Sequence, residues 1–185
     1  MIPTEGPLCV DCDGTLIRTD LLHESALQLI KKSWLSVFLL PVWLLKGKAH
    51  LKHRIAERVE LDVGTLPYND EVLAVMRRAR VDGRMTVLAT ASTRGQAEAV
   101  AAHVGLFDQI VATEEGINLA GPAKAARLEQ LFGRGGFLYA GNSRADLPVW
   151  ASSSGAIVVS ASGALARAAA KLAPVVQTIA PQKPS

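Results

Sequence analysis

Five short apolar runs recur along the chain, at residues 8–11 (LCVD), 85–89 (MTVLA), 109–112 (QIVA), 136–140 (GFLYA) and 156–159 (AIVV). Helix-like stretches separate them, among them Arg94–Val104, Pro122–Phe132 and 161–172. Strands of about 4–6 residues alternating with helices predict an α/β fold with a parallel five-stranded sheet covered on both faces. Such sheets gather their reactive groups at the carboxyl ends of the strands, in the loops that follow. Residues just beyond each apolar run are therefore where the chemistry is to be sought.

The spacing is uneven. Between the first and second runs, from about 20 to 83, nothing reads as a strand, and the pattern predicts helices over Leu21–Lys32, 34–45, 48–59 and 70–80. Asn69 is a natural N-cap for the last, with Asp70 and Glu71 in its first turn. A crossover between neighbouring strands needs far less chain. The reading is thus a core domain over 1–19 and 69–173, a helical cap over 20–68 inserted between the first and second strands, and a flexible tail or linker over 174–185.

A hydrophobic fraction of 49% is ample for a core and excludes a disordered chain. The N-terminal MIPTEGP lacks the basic region and apolar stretch of a secretory signal, and two cysteines make no disulfide framework. A cytoplasmic protein is expected, with a place at the inner face of the membrane left open by the insert. The net charge of +3 is concentrated there: residues 31–58 hold Lys31, Lys32, Lys46, Lys48, Lys52, Arg54 and Arg58 against Glu57 alone.

The stretch PLCVDCDGTLIRTD, residues 7–20, carries two competing pairs. Cys9 and Cys12 have redox or zinc spacing, but residues three apart on a strand point to opposite faces. A redox pair of this spacing sits at a helix start instead, and His23, His50, His53 and His103 supply no matching ligand spacing. Two buried residues of a central strand are the better reading of the cysteines. Asp11 and Asp13, spaced by two, can face the same side, and Gly14 lets the chain turn sharply after them. Adjacent acids repel one another unless a cation lies between them, although a strand ending in an Asx turn would also contain them.

With its D-x-D-G-T at 11–15, the sequence resembles the haloacid dehalogenase-like superfamily, and three further segments follow in that superfamily's order. MTVLATAS supplies Thr90 after the second strand, GPAKAARL supplies Lys124 near a helix start, and FLYAGNSRADLP supplies Asn142 and Asp146. The resemblance implies a phosphatase with a Rossmann-like core. Asp11 would attack phosphorus and form an aspartyl-phosphate, splitting one difficult step into two. Asp13 would protonate the leaving oxygen and later take a proton from water. Members that cleave carbon–halogen bonds lack this second Asp, so phosphoryl transfer is favoured. Thr90, Ala91 and Lys124 would bind the phosphate, with N–H groups of the next helix start. An N-cap is the structural alternative for Thr90, and a solvated surface lysine for Lys124. A cation in a helix's first turn opposes the dipole, which points to an anion facing Lys124. The metal set implied is Asp11, Asp13 (through its carbonyl), Asn142 and Asp146 around Mg2+. Many relatives have Asp at the position of Asn142, so the uncharged amide here implies a weaker site or a larger part for Asp146.

WLSVFLLPVWLL, residues 34–45, holds no charge but falls short of the roughly 18–20 residues that span a bilayer. It packs as a cap core, or it forms an interfacial surface with Lys46, Lys48, Lys52 and Arg54 behind it. On the second reading residues 34–54 contact a membrane surface or a phosphorylated lipid. Basic residues without aromatic stacking platforms give no nucleic-acid surface. The segments from DGTLIRTD through LLPVWLLKGKAHLKHRIA to GNSRADLPVW also resemble the N-terminal domain fused to UbiA-type membrane prenyltransferases. That resemblance implies a prenyltransferase partner and a phosphomonoester substrate near polyprenyl phosphate chemistry, such as a prenyl-linked sugar phosphate. Two rivals stand beside it: a soluble small-metabolite phosphatase, and a weakly active or inactive module serving a membrane partner. His23, His50, His53 and Arg54 are candidates for choosing the substrate.

Overall fold

A computed structural model of the chain describes residues 6–180, apart from 33, 46, 48, 49, 52, 53, 56, 60, 115–117 and 161. Lys46, Lys48, Lys52, His53 and the side chain of Trp34 therefore lie outside the described residues. The strands are β1 (Leu8–Val10), β2 (Thr86–Thr93), β3 (Gln109–Thr113), β4 (Leu138–Gly141), β5 (Gly155–Val159) and β6 (Val175–Ile179). They form one sheet in the order β3-β2-β1-β4-β5-β6, every pairing parallel.

There are six strands where the apolar runs predict five. The extra one, VVQTI, pairs with β5 and occupies part of the segment expected to be tail. Its side chains are mostly half-buried, so it lacks the continuous apolar run that marks a central strand.

Alternation along the strands divides the core in two. Leu8, Val10, Leu88, Leu138, Ala140, Ile157 and Val159 pack on one face, under the helices Asp70–Val81 and Arg94–Val104. Cys9, Val87, Ala89, Tyr139, Ala156 and Val158 pack on the other, under Pro122–Phe132, Leu147–Ser152 and Gly163–Ala170. Period-two side-chain geometry on a sheet covered on both faces gives this three-layer arrangement. Cys9 and Cys12 fall in the two different clusters, both free and buried. Burial pushes both thiols well above their ordinary range, which removes them from thiolate chemistry.

Asn69 caps Asp70–Val81 as its position suggests, accepting from the N–H groups of Glu71 and Val72 at 3.2 and 3.4 Å. Such a cap contributes about 1 kcal/mol. Between β1 and this helix lie Leu21–Lys32, a 3-10 turn over Trp34–Leu39, and Leu40–Leu45. The expected single helix over 34–45 is thus divided, with Pro41 in the first turn of its second part, where a missing N–H costs nothing. Of the helix expected over 48–59, His50, Leu51, Arg54 and Ile55 are helical. This segment has its own small core of Leu29, Trp43, Ile55 and Val59. Arg58 and Arg54 lie over the Trp43 ring at 4.7 and 5.9 Å. Among the described residues no helix is long and apolar enough to cross a membrane.

Strand order runs outward from β1 in both directions, through β2 to β3 and through β4 to β6. A crevice opens at the carboxyl ends of the strands where the order reverses, the place where open α/β sheets bind ligands. Asp11 continues β1 into that crevice, its N–H donating to the Ala140 carbonyl of β4 at 3.0 Å.

Candidate active site

Three strand ends and one helix start bring the sequence candidates together. Asp11 and Asp13 follow β1, Thr90 and Ala91 lie in the second half of β2, Asn142 and Asp146 follow β4, and Lys124 sits in the first turn of Pro122–Phe132. Gly121 makes the last placement possible. Its φ of 52° and ψ of −120° turn the chain into Pro122 in a conformation open to glycine. The helix then starts with Lys124 aimed inward, and the side chain is buried.

Lys124 Nζ donates to Asp11 Oδ1 at 2.6 Å and to the Tyr139 hydroxyl at 3.0 Å. Tyr139 donates in turn to Asp146 Oδ1 at 2.8 Å. The second oxygen of Asp146 accepts the N–H of Asn142 at 3.1 Å, and the N–H and hydroxyl of Ser143 at 3.0 and 3.1 Å. Asp146 thus closes a capping box with Ser143 that shapes the loop carrying Asn142. A buried polar chain, Asp11–Lys124–Tyr139–Asp146, joins the ends of β1 and β4.

Gly14, with φ of 74°, brings the chain close beneath Asn142. A Cβ on it would stand 2.0 Å from Asn142 Nδ2. Thr15 donates to Asn142 Oδ1 at 3.3 Å, which orients the amide. Asp13 is held at both oxygens. Its Oδ1 accepts the N–H of Leu21 at 2.8 Å and its Oδ2 accepts the Ser92 hydroxyl at 3.0 Å.

Burial is the largest influence on Asp11 and pushes its carboxyl up to about 7. Lys124 opposes that shift, while Asp146 and Asp13 add to it. Burial pulls Lys124 down, but Asp11, Asp146 and Asp13 outweigh it and the net shift is upward. The ammonium therefore stays charged beside Asp11. Three carboxylates facing one ammonium leave negative charge at the strand ends, and the candidate donors are hard oxygens: the Asp11 carboxylate, the Asp13 carbonyl and the Asn142 amide. That set fits Mg2+ and not a soft metal. Asp146, with four donors on its two oxygens, is built into the loop behind them. Among the described residues no cluster of three His, Cys, Asp or Glu side chains has metal-site geometry of its own.

Thr90 is buried and accepts the Ser92 N–H at 3.0 Å. It is not the N-cap of the next helix: β2 continues to Thr93, and the helix begins only at Arg94. The helix start expected beside Thr90 is displaced accordingly. The Ala91 carbonyl accepts the Thr113 hydroxyl at 2.9 Å. Sequence reasoning missed Thr15, Ser92 and Tyr139. Tyr139 and Ser92 lie in apolar strand runs and read as core; only the parity of Ser92, two past Thr90, could have singled it out. Of the substrate-choosing candidates, His23, His50 and Arg54 lie on the inserted segment. A groove of about 430 Å3 between Asp70–Val81 and the starts of β1 and β4 contains none of the site residues.

Comparison with known proteins gives a consistent picture. The family model described as haloacid dehalogenase-like hydrolase matches residues 35–150, a span that begins after Asp11 and Asp13. An uncharacterized protein of Sinorhizobium fredii, y4nM, is 38% identical over 154 residues, covering 83% of this chain and 30% of its own length. The chain thus spans about a third of that relative. A Bordetella pertussis protein of unknown function has a similar fold, with a TM-score of 0.68 at 16% identity over 97% of this chain and 100% of that one. A substrate-bound phosphoserine phosphatase superposes with a TM-score of 0.64 at 14% identity, covering 95% of this chain and 93% of its own.

Proposed function

We propose, from the premise that this chain belongs to the haloacid dehalogenase-like hydrolases, that it is a phosphoric monoester hydrolase working through an aspartyl-phosphate. The observation that carries the reading is the buried Lys124 ammonium 2.6 Å from Asp11 Oδ1, with a second carboxylate two residues along the chain. Asp11 attacks phosphorus with the oxygen that Lys124 leaves available, while Lys124 holds the carboxylate in its charged form. The ammonium also neutralises charge on the phosphoryl oxygens as they approach. Asp13 donates a proton to the leaving alkoxide as the ester P–O bond breaks, then recovers one from the water that hydrolyses the acyl phosphate. Thr90 and the Ala91 backbone line the phosphoryl position at the end of β2. Asp11, the Asp13 carbonyl and Asn142 would hold Mg2+, with Asp146 steadying the Asn142 loop. When bound, the cation supplies charge neutralisation to the transferring group. Two neutral or lightly charged donors among its ligands give a site of modest affinity.

The substrate class follows from the inserted segment, read as a cap of 20–68 over the strand ends. Leu35, Phe38, Leu39, Val42, Leu44 and Leu45 are exposed there, Phe38 by 68% and Leu45 by 88%. Single exposed apolar side chains are ordinary, but six within eleven residues form a patch. Arg54 and Arg58 stand beside it over Trp43. An apolar surface edged by cations suits a lipid surface or a prenyl-linked phosphate. The resemblance to UbiA-fused domains points the same way. The likeness to phosphoserine phosphatase favours a soluble metabolite as the second reading.

Phosphate release with and without Mg2+ tests both, on prenyl-linked sugar phosphates, phospholipid monoesters and soluble phosphate esters. Metal-dependent turnover of a lipid ester, abolished in Asp11→Asn, is expected. Turnover retained by Asp11→Asn overturns the mechanism. Turnover of soluble esters alone, with no co-sedimentation with anionic liposomes at low salt, establishes the second reading.

A further inference from the structure

Asp13 is clamped from two sides by elements far apart in sequence. The Leu21 N–H, at the start of Leu21–Lys32, donates to Oδ1 at 2.8 Å; the Ser92 hydroxyl, in β2, donates to Oδ2 at 3.0 Å. Two donors on two different oxygens fix rotation of the carboxylate about its Cβ–Cγ bond. The first donor is itself secured, because Gln96 Nε2 donates to the buried Ser25 hydroxyl of the same helix at 2.9 Å, and Thr93 donates to Gln96 Oε1 at 3.0 Å. Ser92 is buried and its own N–H is held by Thr90 Oγ1 at 3.0 Å, so its hydroxyl reaches Asp13 from a fixed point on the sheet.

We propose that Ser92 is a positioning residue: it aims the Asp13 carboxyl group at the leaving oxygen and acts on the reaction only through that aim. The proposal rests on the phosphatase reading above and assigns a role within that site to a residue no sequence motif marks. In the step concerned, the Asp11 O–P bond forms and the ester P–O bond breaks. The electron pair goes to the leaving oxygen, which takes the proton of Asp13. Loss of aim at Asp13 therefore slows this step in proportion to how much the leaving group needs that proton. An alkoxide needs it strongly and a nitrophenolate hardly at all.

The experiment compares wild type, Ser92→Ala and Ser92→Thr on two probes, p-nitrophenyl phosphate and glycerol 2-phosphate, with Mg2+ present. For Ser92→Ala the expected result is a fall in kcat/KM, which reports the leaving-group step and not the later hydrolysis common to both esters, of about tenfold or more on glycerol 2-phosphate and less than about threefold on p-nitrophenyl phosphate. Ser92→Thr, which keeps a hydroxyl, should recover most of the loss on the alkyl ester. Equal losses of kcat/KM on the two esters in Ser92→Ala would mean that Ser92 acts by holding the fold, and would overturn the proposal, as would no loss on either. A wild-type chain inactive on both esters sinks the phosphatase reading, and this one with it. An active wild type with equal losses sinks this one alone.

Discussion

Replacing Tyr139 by Phe removes a single oxygen from the middle of the buried polar chain. The ring is fully buried, packed edge-on against Trp150 with centroids 6.4 Å apart, and the substitution leaves that packing in place. No cavity arises beyond the hydroxyl itself, so the loss is almost purely of hydrogen bonds. Two disappear, from Lys124 at 3.0 Å and to Asp146 at 2.8 Å. Each involves a charged partner, for which a net contribution of about 1.5–3 kcal/mol is typical. Lys124 keeps Asp11, and Asp146 keeps three donors on Oδ2, so neither partner is orphaned altogether. The lower part of the sum applies, a destabilisation of about 3–4 kcal/mol. For a chain of this length that corresponds to a fall in Tm of about 5–15 °C. Urea unfolding followed by tryptophan fluorescence checks it, since Trp150 reports on the same cluster. The midpoint should fall with m unchanged. A shift equivalent to less than about 0.5 kcal/mol at constant m would refute the reasoning, because the hydroxyl would then not be joining the two strand ends.

Other perturbations probe other parts of the molecule. Gly14→Ala forces a side chain into the left-handed region and drives its Cβ onto Asn142 Nδ2; a loss of at least about 1 kcal/mol is expected, read from the urea midpoint. The Asp108 carboxyl lies below its ordinary range, chiefly because it accepts the Thr86 N–H, with Arg80 also contributing. Its folded pKa being depressed, the stability it adds is fully present above its unfolded pKa and is lost as pH falls from there through the folded value. Asp108→Asn should therefore flatten the acid side of a plot of urea midpoint against pH, and an unchanged slope would count against the assignment. Cys9 and Cys12 are wholly buried with thiols pushed up, so native-state alkylation at pH 8 should proceed only as fast as the chain opens. Labelling at the rate of a free thiol would contradict their placement.

How much of this was legible depends on the kind of signal each residue leaves. The five predicted strands were visible because burial on both faces demands continuous apolar runs, as in LCV and GAIVV. Cys9 and Cys12 are both buried and in opposite clusters as expected, but only Cys9 is on the strand; Cys12 lies in the turn just past β1. Asn69 and the Gly121–Pro122 start were visible because helix ends have their own chemistry. β6 was not, since a half-buried edge strand of VVQTI looks like any polar-tinged linker. Tyr139 was hidden for the opposite reason: an aromatic in an apolar run is sufficiently explained by burial, and nothing in LYAG indicates that its hydroxyl joins Lys124 to Asp146. Asp146 was identified as a metal candidate, but its four hydrogen bonds depend on the fold of a short loop that spacing cannot specify. The division of 34–45 into a 3-10 turn and a helix is likewise a matter of local packing that hydropathy does not resolve.

The central place of β1 has a consequence for how the chain comes into being during synthesis. The first of the six strands in chain order is flanked by later ones, and its partners are distant: Leu8 pairs with Thr86 on one side and Leu138 on the other. Asp11 waits for Lys124, 113 positions later, and Thr15 waits for Asn142, 127 positions later. Contacts of such separation form slowly and only after the later partner has emerged. A nascent chain therefore carries three buried-to-be apolar residues and two unneutralised carboxylates until Lys124 and β4 have emerged. Truncations anywhere before β4 should yield chaperone clients rather than smaller folded domains, with β1 left open on the side that β4 covers.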